Sequence, residues 1–116
     1  MTDQNTNPGS GDPREKFLGS WKVTETCSRM NYNVTISDDP QNSAQVLIEN
    51  FGNPGTGYAP AVALVTGNSI YVSNQTIGSG WSVSGSGTMN DSGRIDWSYS
   101  LVINGNTQSC SAFYIR

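Results

Sequence analysis

The stretch RIDWSYSLVI, residues 94–103, alternates large apolar side chains with mostly polar ones. One set of alternate positions holds the apolar residues Ile95, Trp97, Tyr99, Leu101 and Ile103. The other set holds Asp96, Ser98, Ser100 and Val102. Because successive side chains of a strand point to opposite faces of a sheet, this pattern predicts a β-strand with one buried and one solvated face.

Similar segments recur along the chain, separated by short runs of Gly, Asn, Asp, Ser and Pro that favour turns. The sequence predicts strands over residues 20–27, 30–37, 44–51, 58–65, 70–75, 81–89, 94–103 and 107–115. Asn104-Gly105 is a strong hairpin signal between the last two. Consecutive strands with short links favour an all-β, eight-stranded antiparallel up-and-down barrel, which leaves no exposed strand edge. A two-sheet sandwich is the competing architecture.

The first residues of the chain differ from the rest. Residues 1–11 hold no aliphatic side chain beyond Met1 and are dominated by Asn, Thr, Pro, Gly and Ser, which predicts a disordered polar linker. In the following DPREKFLG, Asp12 suits a helix N-cap, Pro13 the first helical position and Glu15 the third. We therefore expect one short helical turn, or an irregular turn, at the start of a barrel domain spanning residues 12–116.

Composition narrows the function classes. A net charge of −3 offers no basic surface for nucleic acid, and the absence of histidine removes every mechanism that needs an imidazole. The sequence contains no run of 18 apolar residues, so it predicts no transmembrane span. No nucleophile elbow, phosphate loop or metal motif is visible, so we expect no enzyme, no metal and no cofactor. The remaining acid–base hypothesis is a Glu25 and Glu49 pair on facing walls of the barrel.

Charge and cysteine usage indicate the compartment. Charged residues make up only 13% of the chain, so Ser, Thr, Asn, Gln and Gly must cover the surface, as in many secreted and cell-envelope proteins. The two cysteines, Cys27 and Cys110, fall near the end of the first strand and within the last, which are neighbours in a closed barrel. We predict a disulfide between them. Two reduced, buried thiols are the alternative.

The segment FLGSWKV places Gly19 and Trp21 at the head of the strand series. This Gly-x-Trp pattern resembles the first-strand motif of lipocalins and the wider calycin group. With YNVTIS, SGSGTM and CSAFYIR, the chain is most similar to small lipocalin-like lipoproteins of Bacteroidetes. The resemblance implies a barrel whose interior binds a small apolar ligand. It also implies a cell-envelope location, in the periplasm or at the outer-membrane surface or secreted, with a lipid anchor before residue 2.

Six residues are the candidates for ligand binding: Trp21, Glu25, Gly85, Gly87, Trp97 and Tyr99. Trp21, Trp97 and Tyr99 are either ring walls of a pocket or ordinary core residues. Glu25 shares the parity of Trp21, so it either points inward as a buried carboxylate or is solvated where the strand twists outward. Gly85 and Gly87 leave inward space, for a ligand or for a neighbouring ring. A pocket of a few hundred Å³ would be expected.

Eight strands can also give a barrel interior that side chains fill completely. In that case the domain is a structural or interaction module that docks onto another envelope protein. The loop FGNPGTGYAP, residues 51–60, is then the candidate partner-facing surface, with Phe51 and Tyr58 expected to be exposed.

Overall fold

The computed structural model describes residues 12–27 and 31–116, so the linker predicted at residues 1–11 lies outside the described residues. The described chain forms one 3₁₀ helix and eight strands. The helix is η1 (Glu15–Phe17). The strands are β1 (Gly19–Glu25), β2 (Asn31–Asp38), β3 (Gln45–Glu49), β4 (Ala61–Thr66), β5 (Ser69–Gly78), β6 (Trp81–Met89), β7 (Ile95–Ile103) and β8 (Asn106–Ile115).

Each strand pairs antiparallel with the next, and β1 also pairs with β8, which closes the barrel. The predicted up-and-down barrel is therefore confirmed, and the sandwich alternative is wrong. Because the strands run alternately in opposite directions, successive connections lie at opposite ends of the barrel. We call the end that holds η1 the helical end and the end that holds residues 50–60 the loop end.

The two-residue period sorts side chains as the sequence predicts. Along β7 the residues Ile95, Trp97, Tyr99 and Leu101 are all buried, while Ser98 between them is exposed. All eight strands contribute to one buried apolar cluster inside the barrel. Every strand therefore contributes side chains from its interior face to this core.

Trp21 closes the helical end. Its ring is 1% exposed, and its Nε1 donates a hydrogen bond of 2.8 Å to the carbonyl oxygen of Phe17 in η1. The guanidinium of Arg116 lies 3.9 Å from the centre of the Trp21 ring. Arg116 also donates to the carbonyl oxygens of Leu18 and Lys16, at 2.8 and 2.9 Å. Arg116 therefore links the end of β8 to Trp21 in β1 and to the segment that precedes β1.

Arg116→Ala is expected to lower the free energy of unfolding by about 1–2 kcal/mol, because it removes a cation–π contact and two charge-assisted hydrogen bonds. Urea unfolding followed by tryptophan fluorescence measures the change. Lys22→Ala, an exposed cation on β1, is the matched control and should change stability by less than about 0.5 kcal/mol. Equal effects of the two substitutions would contradict this role for Arg116.

The predicted disulfide is present. Cys27 and Cys110 are bonded across the β1–β8 seam, with their Cα atoms 5.4 Å apart and 83 positions apart in sequence. The backbone nitrogen of Thr26 donates 2.9 Å to the carbonyl oxygen of Ser111, which extends the pairing beyond the end of β1. The disulfide therefore fastens the closing seam just past Glu25.

The predicted helical turn is also present, although its N-terminal geometry differs from a capping box. The helix begins at Glu15, and no side chain caps it. The Asp12 carboxylate instead accepts the backbone N–H of Arg14 at 2.9 Å and pairs with the Arg14 guanidinium at 3.1 Å. The Asp12 carboxylate therefore binds Arg14 and does not cap the helix.

Candidate functional site

The connection between β3 and β4 turns back into the barrel. β3 ends at Glu49, two residues before the predicted strand end, because Asn50 has a left-handed backbone with a φ of 68°. Asparagine adopts this conformation more readily than most residues. The reversal carries Phe51 inward, where it is only 1% exposed. The prediction that Phe51 is exposed is therefore wrong.

Phe51 packs on two aromatic rings of β7. Its ring centre lies 5.2 Å from that of Trp97, with an angle of 63° between the planes, and 5.2 Å from that of Tyr99. Trp97 in turn lies 5.3 Å from the ring of Tyr114 on β8. Gly52, the next residue, is also tightly packed: a Cβ built on it would lie 2.8 Å from the Leu101 side chain. The loop thus closes over the aromatic interior at the loop end.

A carboxylate lies beside these rings. Glu25 is 4% exposed, which confirms the inward orientation. Its Oε1 accepts the Tyr32 hydroxyl at 2.7 Å and also accepts the hydroxyl of Tyr99. The two phenol oxygens lie 3.5 Å apart. We call the group of Glu25, Tyr32, Phe51, Trp97 and Tyr99 the Phe51 site.

Burial determines the protonation of the tyrosines in and around the Phe51 site. Burial raises the pKa of Tyr32, Tyr99 and Tyr114 well above the usual value, and the carboxylate of Glu25 adds to the shift at each of them. The three side chains are therefore neutral phenols near neutral pH. As neutral phenols, Tyr32 and Tyr99 act as hydrogen-bond donors to the carboxylate.

The raised tyrosine pKa values predict a loss of stability in alkali. The unfolded chain releases phenolic protons from about pH 10, whereas the folded barrel retains them, so the free energy of unfolding falls as the pH rises above 10. Each such tyrosine contributes a slope of about 1.4 kcal/mol per pH unit. Urea unfolding between pH 8 and pH 11 measures it. Tyr99→Phe should reduce the slope by one tyrosine, and a constant free energy up to pH 11 would contradict the prediction.

The space left by the absent side chains of Gly85 and Gly87 is occupied by β7. A Cβ built on Gly87 would lie 2.8 Å from the Trp97 ring, and one built on Gly85 would overlap the carbonyl oxygen of Ser98 and the Cα and Cβ of Tyr99. At Gly87 the structure therefore has the neighbouring ring over the backbone, whereas at Gly85 the backbone of β7 itself lies close. These glycines therefore let β7 bring its rings close to β6.

The structure separates the six predicted ligand residues. Trp21 lies at the helical end, in contact with Arg116. Trp97 and Tyr99 meet at Phe51, with Glu25 bonded to Tyr99. All four side chains are 1–4% exposed and pack against protein atoms, so the open interior pocket of a few hundred Å³ expected around them is not present among the described residues.

Tyr58, the other residue expected to be exposed, is half-buried. Its ring lies 5.5 Å from that of Trp81 and covers Gly78. The loop at residues 51–60 therefore turns both of its aromatic side chains toward the barrel, which removes the exposed aromatic pair on which its partner-facing role was based.

The acid–base pair predicted between Glu25 and Glu49 is not formed. Glu25 is inside the barrel, whereas Glu49 is exposed and follows the inward-facing Ile48. Within residues 12–27 and 31–116, no three side chains of His, Cys, Asp or Glu are grouped so that they could hold a metal ion. Over the same ranges, no helix has the length and apolar character needed to cross a bilayer.

The outer surface of the sheet carries several clefts, and two of them share Gly85. One, of about 470 Å³, runs across β6, β7 and β8 and is lined mainly by serines. The other, of about 450 Å³, lies across β3 to β6 and is lined in part by Val62, Leu64 and Tyr71. Leu64 and Tyr71 are 44% and 45% exposed and are direct cross-strand partners. We call Val62, Leu64 and Tyr71 the outer apolar strip.

Sequence reasoning missed two parts of the Phe51 site. Tyr32 shares the inward face of β2 with Val34 and Ile36, so parity alone could have paired it with Glu25. Phe51 has no such periodic signal, because it lies in a connection. No protein-family model and no curated protein sequence matches the chain.

Proposed function

We propose that this domain is a non-enzymatic cell-envelope protein that binds a small apolar ligand inside the barrel, in the place of Phe51. The single observation that supports the proposal most is the position of Phe51. Among the buried apolar residues of the described chain, Phe51 alone lies in neither a strand nor the helix. It is the core side chain that can withdraw without breaking the barrel.

Withdrawal costs the packing of the Phe51 ring on β7 and the hydrogen bonds of the loop. Asn50 organises the turn, since its side chain donates 3.1 Å to the carbonyl oxygen of Asn33 and accepts the N–H of Gly55 at 3.1 Å. The N–H of Ala59 donates 2.8 Å to the carbonyl oxygen of Ile77. Connections held by few bonds open at a lower free energy than strands paired on both sides. The barrel ladder is not involved in the opening.

Withdrawal of Phe51 would expose the rings of Trp97 and Tyr99. An apolar cavity of about 150 Å³ stays dry and admits a ring the size of benzene. The ligand is therefore a compound that inserts one ring, or one short apolar end, while the rest extends through the loop end.

The compartment follows from separate observations. A disulfide across the seam is typical of an oxidising environment such as the periplasm. A polar surface with few charges supports the same placement. We propose the cell envelope on these two grounds, together with the similarity to lipocalin-like lipoproteins.

Titration with N-phenyl-1-naphthylamine, an uncharged probe whose fluorescence rises in apolar surroundings, tests the proposal. We expect saturable binding to the oxidised protein, with at least about a hundredfold higher affinity for Phe51→Ala, because the variant no longer has to displace a ring whose packing is worth about 3–5 kcal/mol. Leu64→Ala, in the outer apolar strip, is the matched control and should leave the affinity unchanged. Absence of saturable binding to both the wild type and Phe51→Ala would contradict the proposal.

The outer apolar strip favours a second candidate, a packed barrel that docks onto another envelope protein. Neighbouring exposed apolar residues on a soluble domain mark contact surfaces more often than scattered ones do. In this case Leu64→Ser with Tyr71→Ser should abolish cross-linking to an envelope protein, and Phe51→Ala should not. The reverse pattern would support the interior site.

A further inference from the structure

The indole N–H of Trp97 has no hydrogen-bond acceptor in the part of the chain that the structure describes, although the side chain is only 2% exposed. The other fully buried tryptophan, Trp21, donates its N–H to the carbonyl oxygen of Phe17 at 2.8 Å. The two residues therefore differ in a way that burial alone does not explain.

An unpaired buried donor is unfavourable, and most buried polar groups in folded proteins have a partner. A phenylalanine at position 97 would fill part of the same space without that cost. The indole also forms one wall of the Phe51 site, because its ring centre lies 5.2 Å from that of Phe51. The indole ring is thus within the group that would contact whatever replaces Phe51.

We propose that the ligand of the Phe51 site carries a neutral oxygen acceptor, such as a ketone, aldehyde or ester carbonyl, next to its ring, and that this oxygen accepts the N–H of Trp97. This inference rests on the proposed function and specifies the chemistry of the same site. A neutral acceptor fits better than an anion, because the site is buried among apolar rings and the chain carries a net charge of −3. Trp97 is then the residue that selects among apolar ligands.

Two probes of nearly the same shape test the interior site and the oxygen acceptor separately. Acetophenone has a ring with an adjacent carbonyl, and α-methylstyrene has the same skeleton with a methylene group in place of the oxygen. Both are titrated into the oxidised wild type and Phe51→Ala, with tryptophan labelled with ¹⁵N. The indole ¹H–¹⁵N signal of Trp97 is assigned by its contact to Gly87.

We expect acetophenone to bind about tenfold more tightly than α-methylstyrene and to move the Trp97 indole proton downfield, as a new hydrogen bond requires. In Trp97→Phe the preference should reverse in favour of α-methylstyrene, because the carbonyl oxygen of acetophenone is then buried without a donor. If that variant does not fold, the difference between the probes and the shift of the indole proton decide the question without it.

Equal binding of the two probes, with no displacement of the Trp97 signal, would overturn the acceptor and leave the interior site standing. Exchange of the Trp97 proton with a long-lived internal water, unchanged by acetophenone, would also overturn it, since water would then be the partner. Failure of both probes to bind either protein would overturn the acceptor and the interior site together.

Discussion

Phe51→Ala is expected to lower the free energy of unfolding by about 3–5 kcal/mol, the usual cost of truncating a buried aromatic side chain. The reason is the 1% exposure of Phe51 and its contacts with Trp97 and Tyr99. For a domain of this size, the loss corresponds to a fall in Tm of roughly 15–25 °C. Urea and thermal unfolding of the oxidised protein measure it.

Phe113→Ala is the matched control, because Phe113 is the same residue type but 49% exposed on the outer face of β8. It loses only the contact with the Arg94 guanidinium, 4.5 Å from the ring centre, so we expect a change of less than about 1 kcal/mol. Similar losses for both substitutions would show that Phe51 is not part of the core in solution. We further expect acetophenone to stabilise Phe51→Ala more than Phe113→Ala, because Phe113→Ala still has to displace Phe51.

Removal of the disulfide has the other large expected effect. Cys27→Ala with Cys110→Ala should lower the free energy of unfolding by about 4 kcal/mol, because the bond constrains 83 positions of the unfolded chain. The denaturant m-value should rise, since the unfolded chain becomes more extended. Equilibrium urea unfolding of the oxidised wild type and the variant gives both quantities.

A reductant provides the internal control for the disulfide. It should bring the wild type to the stability of the double variant and leave the variant unchanged. A difference of less than about 1 kcal/mol between oxidised and reduced wild type would mean that β1 and β8 hold the seam through their ladder alone. In that case the disulfide reflects the compartment and contributes little to the fold.

The fold was predictable because the alternation of side chains along each strand indicates which residues face the core. The alternation in residues 94–103 correctly separates the buried Trp97 and Tyr99 from the exposed Ser98. The same parity allowed an inward Glu25, which the structure has, without excluding a solvated one, and the adjacency of the first and last strands of a closed barrel brings Cys27 to Cys110. These inferences succeed because a closed sheet gives each residue only two faces to choose from.

The Phe51 site was only partly predictable. Whether Phe51 continues β3 or turns inward depends on the backbone of Asn50, and both are compatible with an aromatic residue at the end of a strand. A glycine in a strand likewise indicates space without showing what fills it, so Gly87 could not reveal that the Trp97 ring lies against it. Residues outside the strands also make contacts, such as that of Arg116 with Trp21. The sequence shows no periodic pattern that would predict these contacts.

Native mass spectrometry of the protein, exported to an oxidising periplasm and purified without detergent, tests the central claim most directly. The account predicts an adduct of a few hundred daltons that is lost on denaturation, and higher occupancy for Phe51→Ala than for wild type. The denatured mass should be lower than that of the reduced chain by two hydrogens, which verifies the disulfide in the same sample. An unliganded mass for both proteins, persisting after incubation with an envelope lipid extract, would contradict a ligand site at Phe51.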